Sequence, residues 1–278
     1  MTDTLSLEKH ELIARASDSM QRHLSSPEWT ARQKVALTCR ILFAQGHESG
    51  LAGQITARAV KSGTFYTQRL GLGFDEISDT NLLLVDEDLD VLQGEGMANP
   101  ANRFHTWIYR ARPDTQCIVH THPPHICALS MLQRPLKIAQ MDACMLYEDV
   151  AFLAEWPGLP VGNSEGELIA AVLGDKRAAL LAHHGLIVAC RSVEEACVVA
   201  VQCERAARLQ LLAEAAGEIT ELDPDLAREA HDWILQDKRS KATFHYFARR
   251  VLAAHPINAE PTLPGGPVLS EVERRVEG

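Results

Sequence analysis

The chain has 278 residues, of which 46% are hydrophobic and 23% charged, and a formal net charge of −10. That length suits one domain of about 240 residues plus a tail, enough to bury a large core. The acidic balance argues against a nucleic-acid partner, which needs clustered Lys and Arg, and no apolar run approaches the roughly 20 residues of a membrane span.

In chain order, residues 1–26 form an N-terminal extension and residues 27–254 alternate helices and strands. The pattern predicts a helix over 27–46, capped by Ser26, opened by Pro27 and carrying Val35, Leu37, Ile41 and Leu42 on its apolar face. A glycine-rich turn follows, then strands at Gln54–Ala59 and Asn81–Val85, the second ended by Asp86-Glu87-Asp88. Asn99-Pro100 opens a helix that runs through Arg112 to Pro113. Cys117–His122 reads as a strand, stopped by Pro123-Pro124, which also opens the next helix. Ser164–Leu173 is a short helix, and Ala178–Ala182 and Leu186–Ala189 are buried strands separated by Gly185. Ser192 and Glu195 make a capping box for a long helix through Ala216, and a broken helix covers 223–254. From His255 the tail is rich in Pro and Gly, cannot build a core, and is expected to be mobile or draped over a neighbour. The first residues, Met1-Thr2-Asp3-Thr4, lack a signal pattern, and the seven cysteines show no CxxC spacing. They are read as reduced, buried thiols of a cytoplasmic protein.

The chemistry concentrates in His120-Thr121-His122 and His183-His184-Gly185. Alternate residues of a strand share a face, so His120 and His122 can converge on one point. An imidazole from the end of a second buried strand completes a three-nitrogen cage. A lone histidine is more often a hydrogen-bonded structural residue, but two in strand register plus a distant pair beside glycine favour a metal. Such a cage suits Zn, Fe, Cu or Ni and leaves positions open for substrate or water.

These segments, with Gly53-Gln54-Ile55-Thr56 and Arg103-Phe104-His105-Thr106-Trp107-Ile108-Tyr109, resemble the class II aldolase/adducin family over about residues 30–215. The resemblance implies a three-layer α/β/α fold around a mainly antiparallel central sheet, and a homotetramer with sites at subunit interfaces. It puts the family's metal ligands on His120, His122 and His184, with His183 facing elsewhere. It puts the substrate pocket near Gln54, Leu70 and Met141.

Departures from the family pattern carry as much information. Where sugar-phosphate aldolases of the family hold a glutamate that serves as acid/base, this chain has Ala101. Their two phosphate-binding serines fall on Asn99 and Pro100, their phosphate-holding threonine on Leu70, and an assisting tyrosine on Met141. A methyl group cannot shuttle a proton, a step worth roughly 10²–10⁴ in rate. An unphosphorylated, hydrophobic or aromatic substrate is expected, lined by residues such as Leu70, Leu72, Phe74, Met97, Met141, Met145 and Trp156. Two enzymatic readings follow. The favoured one is similar to the family's non-haem iron oxygenase offshoot of aminocoumarin antibiotic biosynthesis. It implies Fe(II), O₂ and oxidative decarboxylation of an aromatic 2-oxo acid of the prenylated 4-hydroxyphenylpyruvate type toward a mandelate and benzoate. The alternative is a divalent-metal lyase, an aldolase or decarboxylase, with Zn(II) as the alternative ion. It needs another acid/base, for which Glu95, His105, His125 and Tyr147 are candidates. A non-catalytic, adducin-like module is disfavoured because its branch lacks the metal ligands.

Overall fold

A computed structural model describes residues 4–25 and 27–254. Eight strands form one sheet: β1 (Gln54–Arg58), β2 (Thr64–Thr67), β3 (Leu83–Asp86), β4 (Val91–Gln93), β5 (Cys117–Thr121), β6 (Val150–Leu153), β7 (Ala178–Leu181) and β8 (Leu186–Cys190). Their order across the sheet is β4-β3-β2-β1-β5-β8-β7-β6. The sheet is mixed, which refines the expectation: every neighbouring pair is antiparallel except β6 with β7, which is parallel.

The helices are α1 (Lys9–His23), α2 (Ala31–Ala44), α3 (Arg103–Ala111), α4 (Pro124–Met131), α5 (Asn163–Leu173), α6 (Val193–Glu214), α7 (Pro224–Ile234) and α8 (Asp237–Ala254). The central strands β5, β7 and β8 are buried on both faces, so β7 and β8 are continuous apolar runs and β5 is apolar up to His120-Thr121. Phe104 and Ile108 of α3 and Ile169 and Leu173 of α5 pack with Ile118, Ile187 and Ala189 of one sheet face. On the other face Ile55, Val119 and Val188 meet apolar residues of α2, α4, α6 and α8. Three layers result. Gly166 of α5 permits close packing on α3, since a Cβ there would lie 2.5 Å from the Trp107 ring.

Several boundaries differ from the sequence reading, each for a local reason. Helix α2 starts at Ala31 because Thr30 and Gln33 form a reciprocal capping box, and Pro27 stays outside it. The expected Ser26 cap and the tail from His255 lie outside the described residues. The helix expected from Asn99 begins as a 3-10 turn, Pro100–Asn102, with the Asn99 side chain accepting from the Ala101 amide at 3.0 Å. Ser192 caps α6, but the Glu195 carboxylate takes the Arg191 amide and Arg177 guanidinium instead of closing a capping box. Strands β2, β4 and β6 were not anticipated. Each has three or four residues, too few to show a period, and β4 is an exposed edge.

The strand directions decide where chemistry can gather. The C-terminal ends of β2, β4, β5, β6 and β7 and the N-terminal ends of β1, β3 and β8 share one sheet edge. Gly53, Leu70, Glu95, His122, Trp156 and the turn through His184 all leave the sheet there. Among the described residues no helix is long and apolar enough to cross a membrane.

Candidate metal centre

His120 lies on β5 opposite Gln54 of β1 and Ile187 of β8. Its ring points to the α3 layer, edge-on to Phe104 with centroids 5.1 Å apart. Its Nδ1 is 2.9 Å from the Leu186 carbonyl. A carbonyl only accepts, so Nδ1 carries the proton and Nε2 presents a lone pair. His122 lies one residue beyond the strand, not in it, yet its Nε2 comes 3.1 Å from His120 Nε2. Its Nδ1 meets Ser49 Oγ at 3.3 Å.

His184 arrives from the tight turn between β7 and β8. His183 takes a left-handed φ of 55°, and the His184 amide donates to the Leu181 carbonyl at 3.1 Å. This turn directs the two neighbours apart. The Gln133 amide nitrogen donates to His183 Nε2 at 2.7 Å, while the His184 ring stacks on His122 with centroids 4.9 Å apart. Gly185 makes the approach possible: a Cβ there would stand 2.6 Å from both His122 Cδ2 and the Thr121 carbonyl oxygen.

One ligand atom from each of His120, His122 and His184 lies within 4.8 Å of the others, and no Asp, Glu or Cys joins them among the described residues. The donor set fits a divalent ion. Two cis ligands about 2.0–2.1 Å from a metal stand about 2.9–3.4 Å apart, which brackets the His120–His122 spacing. Burial also keeps the rings neutral, as ligation requires: desolvation lowers all three pKa values, that of His184 to about 4.

The remaining candidates scatter. His105 is buried with Nδ1 2.8 Å from Thr56 Oγ1, and desolvation lowers its pKa to about 3. Thr56 Oγ1 donates to Tyr109 Oη, so it accepts from His105 Nδ1–H and leaves Nε2 as a buried acceptor without a partner. His125 gives Nδ1 to Glu204 and lines a separate cleft with Gln45, Gln202, Arg205 and Arg208. Tyr147 lies beneath the Arg228 guanidinium of α7, 4.8 Å from its ring centroid. Glu95 is exposed. None of these four hydrogen-bonds a triad ring among the described residues.

Of the expected pocket residues, Gln54 is buried with Oε1 unpartnered, and Leu70 is half-buried, its amide 2.9 Å from the Met97 carbonyl. Met97, Met141 and Trp156 are exposed, whereas Leu72, Phe74 and Met145 belong to the core. The sequence reading missed Ser49 and the Leu186 carbonyl. No residue pattern marks a backbone oxygen as a histidine partner.

The chain matches the family described as Class II Aldolase and Adducin N-terminal domain over residues 33–211. It belongs to that family. It is 33% identical over 184 residues to the decarboxylase NovR of Streptomyces niveus, covering 65% of this chain and 68% of the relative. It is 32% identical to a 4-hydroxy-3-prenylphenylpyruvate oxygenase/4-hydroxy-3-prenylbenzoate synthase of Streptomyces roseochromogenus subsp. oscitans, covering 65% of this chain and 66% of that one. L-fuculose phosphate aldolase of Escherichia coli K12 is 29% identical over 63% of this chain and 79% of its own. Among solved structures, the L-fuculose 1-phosphate aldolase of Glaciozyma antarctica PI12 has a TM-score of 0.75 at 25% identity, covering 83% of this chain and 95% of its own. The relatives confirm the class II aldolase fold and an enzyme family of aldolases, decarboxylases and oxygenases; such aldolases use one divalent metal.

Proposed function

We propose that this chain is a non-haem Fe(II) oxygenase that oxidatively decarboxylates an unphosphorylated aromatic 2-oxo acid of the prenylated 4-hydroxyphenylpyruvate type. The observation that carries the reading is a triad of three imidazoles, taken with Ala101 at the place to which the family resemblance assigns the aldolases' glutamate. His120, His122 and His184 would hold the ion. Fe(II) bound there supplies redox chemistry with O₂, whereas Zn(II) supplies Lewis acidity alone. The chain's own residues hold and shield that centre. The Leu186 carbonyl fixes the His120 tautomer, Phe104 walls the ring from solvent, and Gly185 lets the His184 turn close on His122. The likeness to the prenylphenylpyruvate oxygenase supports the same substrate class.

The second reading, a metal-dependent aldolase or decarboxylase, is favoured by the relatives named for those activities. Among the described residues none of its four candidate acid/bases is placed at the triad. His105 stays neutral well below pH 7, His125 faces another cleft, Tyr147 sits under Arg228, and Glu95 is solvated. By the same family likeness the working form is a homotetramer, and light scattering that shows a monomer at micromolar concentration would count against it.

Metal analysis of protein purified without oxygen, followed by O₂ uptake with 4-hydroxyphenylpyruvate-type acids, tests the assignment. Fe(II) should support O₂-dependent loss of CO₂ and Zn(II) should not. Equal turnover with Zn(II) under nitrogen hands the case to the lyase.

A further inference from the structure

Arg69 is half-buried at the functional edge, yet its guanidinium has no hydrogen bond, ion pair or ring contact among the described residues. Elsewhere among the described residues the arginines that are not exposed are engaged: Arg32, Arg40, Arg58, Arg103 and Arg112 by carbonyls, Arg177 by carboxylates, Arg239 by the Trp233 ring. Partly burying a cation without a partner costs free energy, so an unpaired one in a cleft needs a reason.

Its position is built. The backbone of Arg69 bridges to Ala98, and its side-chain stem crosses Gly96, where a Cβ would lie 2.6 Å from Arg69 Cδ. Any other residue at 96 would displace the stem. Arg69 lines a small cleft with Gly53, Leu70 and Asn99. Gly53 packs on the backbone of the ligand strand, since a Cβ there would lie 3.1 Å from the His120 carbonyl oxygen. Thr67, two residues before Arg69, accepts from Asn102 on the α3 side, the side to which His120 points. Strands β2 and β5 are separated only by β1, so their backbones run about 10 Å apart across the sheet.

We propose that Arg69 binds an anionic oxygen, phenolate or carboxylate, at the end of the substrate remote from the metal. The proposal rests on the reading that a substrate chelates at the triad, and adds a second, polar anchor to a pocket expected to be apolar. A guanidinium is suited to this task because it presents a rigid fork of donors to a planar oxygen group. An aromatic 2-oxo acid with a para oxygen has the length to reach from one anchor to the other.

Calorimetry on the full chain loaded with Zn(II) tests this without turnover, using phenylpyruvate, 4-hydroxyphenylpyruvate and 4-carboxyphenylpyruvate. The two acids with a distal oxygen should bind at least about tenfold more tightly than phenylpyruvate, as expected for a charge-assisted hydrogen bond. Which of them gains more separates phenolate from carboxylate. Arg69→Ala should erase the difference while phenylpyruvate binding and the thermal melt stay put, and Arg69→Lys should recover part of it for the carboxylate. Equal affinities for all three in the wild type, equal losses in the variant, or no binding at all overturns the proposal. So does a change of oligomeric state in Arg69→Ala with the discrimination intact, since the guanidinium would then serve a contact between copies. O₂ uptake is scored separately: discrimination without oxidation keeps Arg69 and sinks the oxygenase, and oxidation without discrimination does the reverse.

Discussion

Gly185 and His122 occupy each other's space so closely that a single methyl group on the glycine would overlap the imidazole, 2.6 Å from its Cδ2. The Thr121 carbonyl oxygen, also 2.6 Å from that point, blocks relief by a small backbone shift. Gly185→Ala should therefore leave the sheet folded but push His122 away from His120 and His184. Metal titration should show affinity reduced by at least about tenfold, the lower bound for disturbing the support of a ligand. Unchanged affinity would mean that the turn has room the geometry does not show.

Ala101 offers a converse test. It is partly buried against the α3-side core, and the family resemblance assigns it the place of the aldolases' glutamate. In Ala101→Glu the new carboxylate should compete for a position that substrate or O₂ needs, and Fe(II)-dependent oxidation should fall. The variant is not expected to gain retro-aldol cleavage of a phosphorylated ketose, because Asn99, Pro100 and Leu70 still lack the phosphate contacts. Oxidation that survives at wild-type rate would remove Ala101 from the argument.

Two buried histidines outside the triad set a pH dependence for stability. Desolvation lowers His47 and His105 to about 3, from an ordinary 6.5. Their unfolded forms take up protons below pH 6.5 while the folded forms do not. Folded stability is thus complete above pH 6.5 and declines as pH falls toward 3, by about 1.4 kcal/mol per pH unit for each ring. Urea melts between pH 7 and pH 4 should show this slope, and His105→Gln should reduce it by one proton's worth. An identical slope in the variant would show that His105 is already charged or solvated.

How much of this was legible in the sequence depended on length and period. His120, His122 and His184 were readable because strand alternation and a glycine-broken turn leave a local signature, and all three rings do converge. The long helices and central strands were readable from their apolar content, although Thr30 rather than Ser26 sets the start of α2. The short strands β2, β4 and β6 were not, and neither was the fate of Leu72, Phe74 and Met145. Apolar residues near a site look alike whether they line it or fill the core behind it. Arg69 was invisible for a different reason: its interest lies in lacking a partner, which only three-dimensional neighbours reveal.

Glu204 deserves a stability measurement of its own. From α6 its carboxylate accepts the amides of His125 and Ile126 at 3.1 and 3.0 Å, together with His125 Nδ1–H. It thereby closes the start of α4, immediately after the ligand strand. Glu204→Ala should cost about 2–4 kcal/mol in urea unfolding, the loss of charge-assisted bonds at a buried end. Glu204→Gln should recover part of it, because the amide oxygen still accepts. A loss below about 0.5 kcal/mol, the range of ordinary surface changes, would show that water replaces the carboxylate.

The lone parallel pairing, β6 on β7, bears on how such an enzyme can change its diet. Antiparallel hairpins deliver consecutive loops to opposite rims, so a loop can be spent on the far side of the molecule. Here the segment leaving β6 emerges on the rim that holds His184, and the Ala182 amide fastens to the Leu153 carbonyl at 2.9 Å. Exposed Trp156, Leu159 and Val161 follow at once, before α5 carries the chain back. Insertions and exchanges in that stretch leave every ladder in register. New substrates can be tried there by evolution or by an engineer, while the three imidazoles stay where they are.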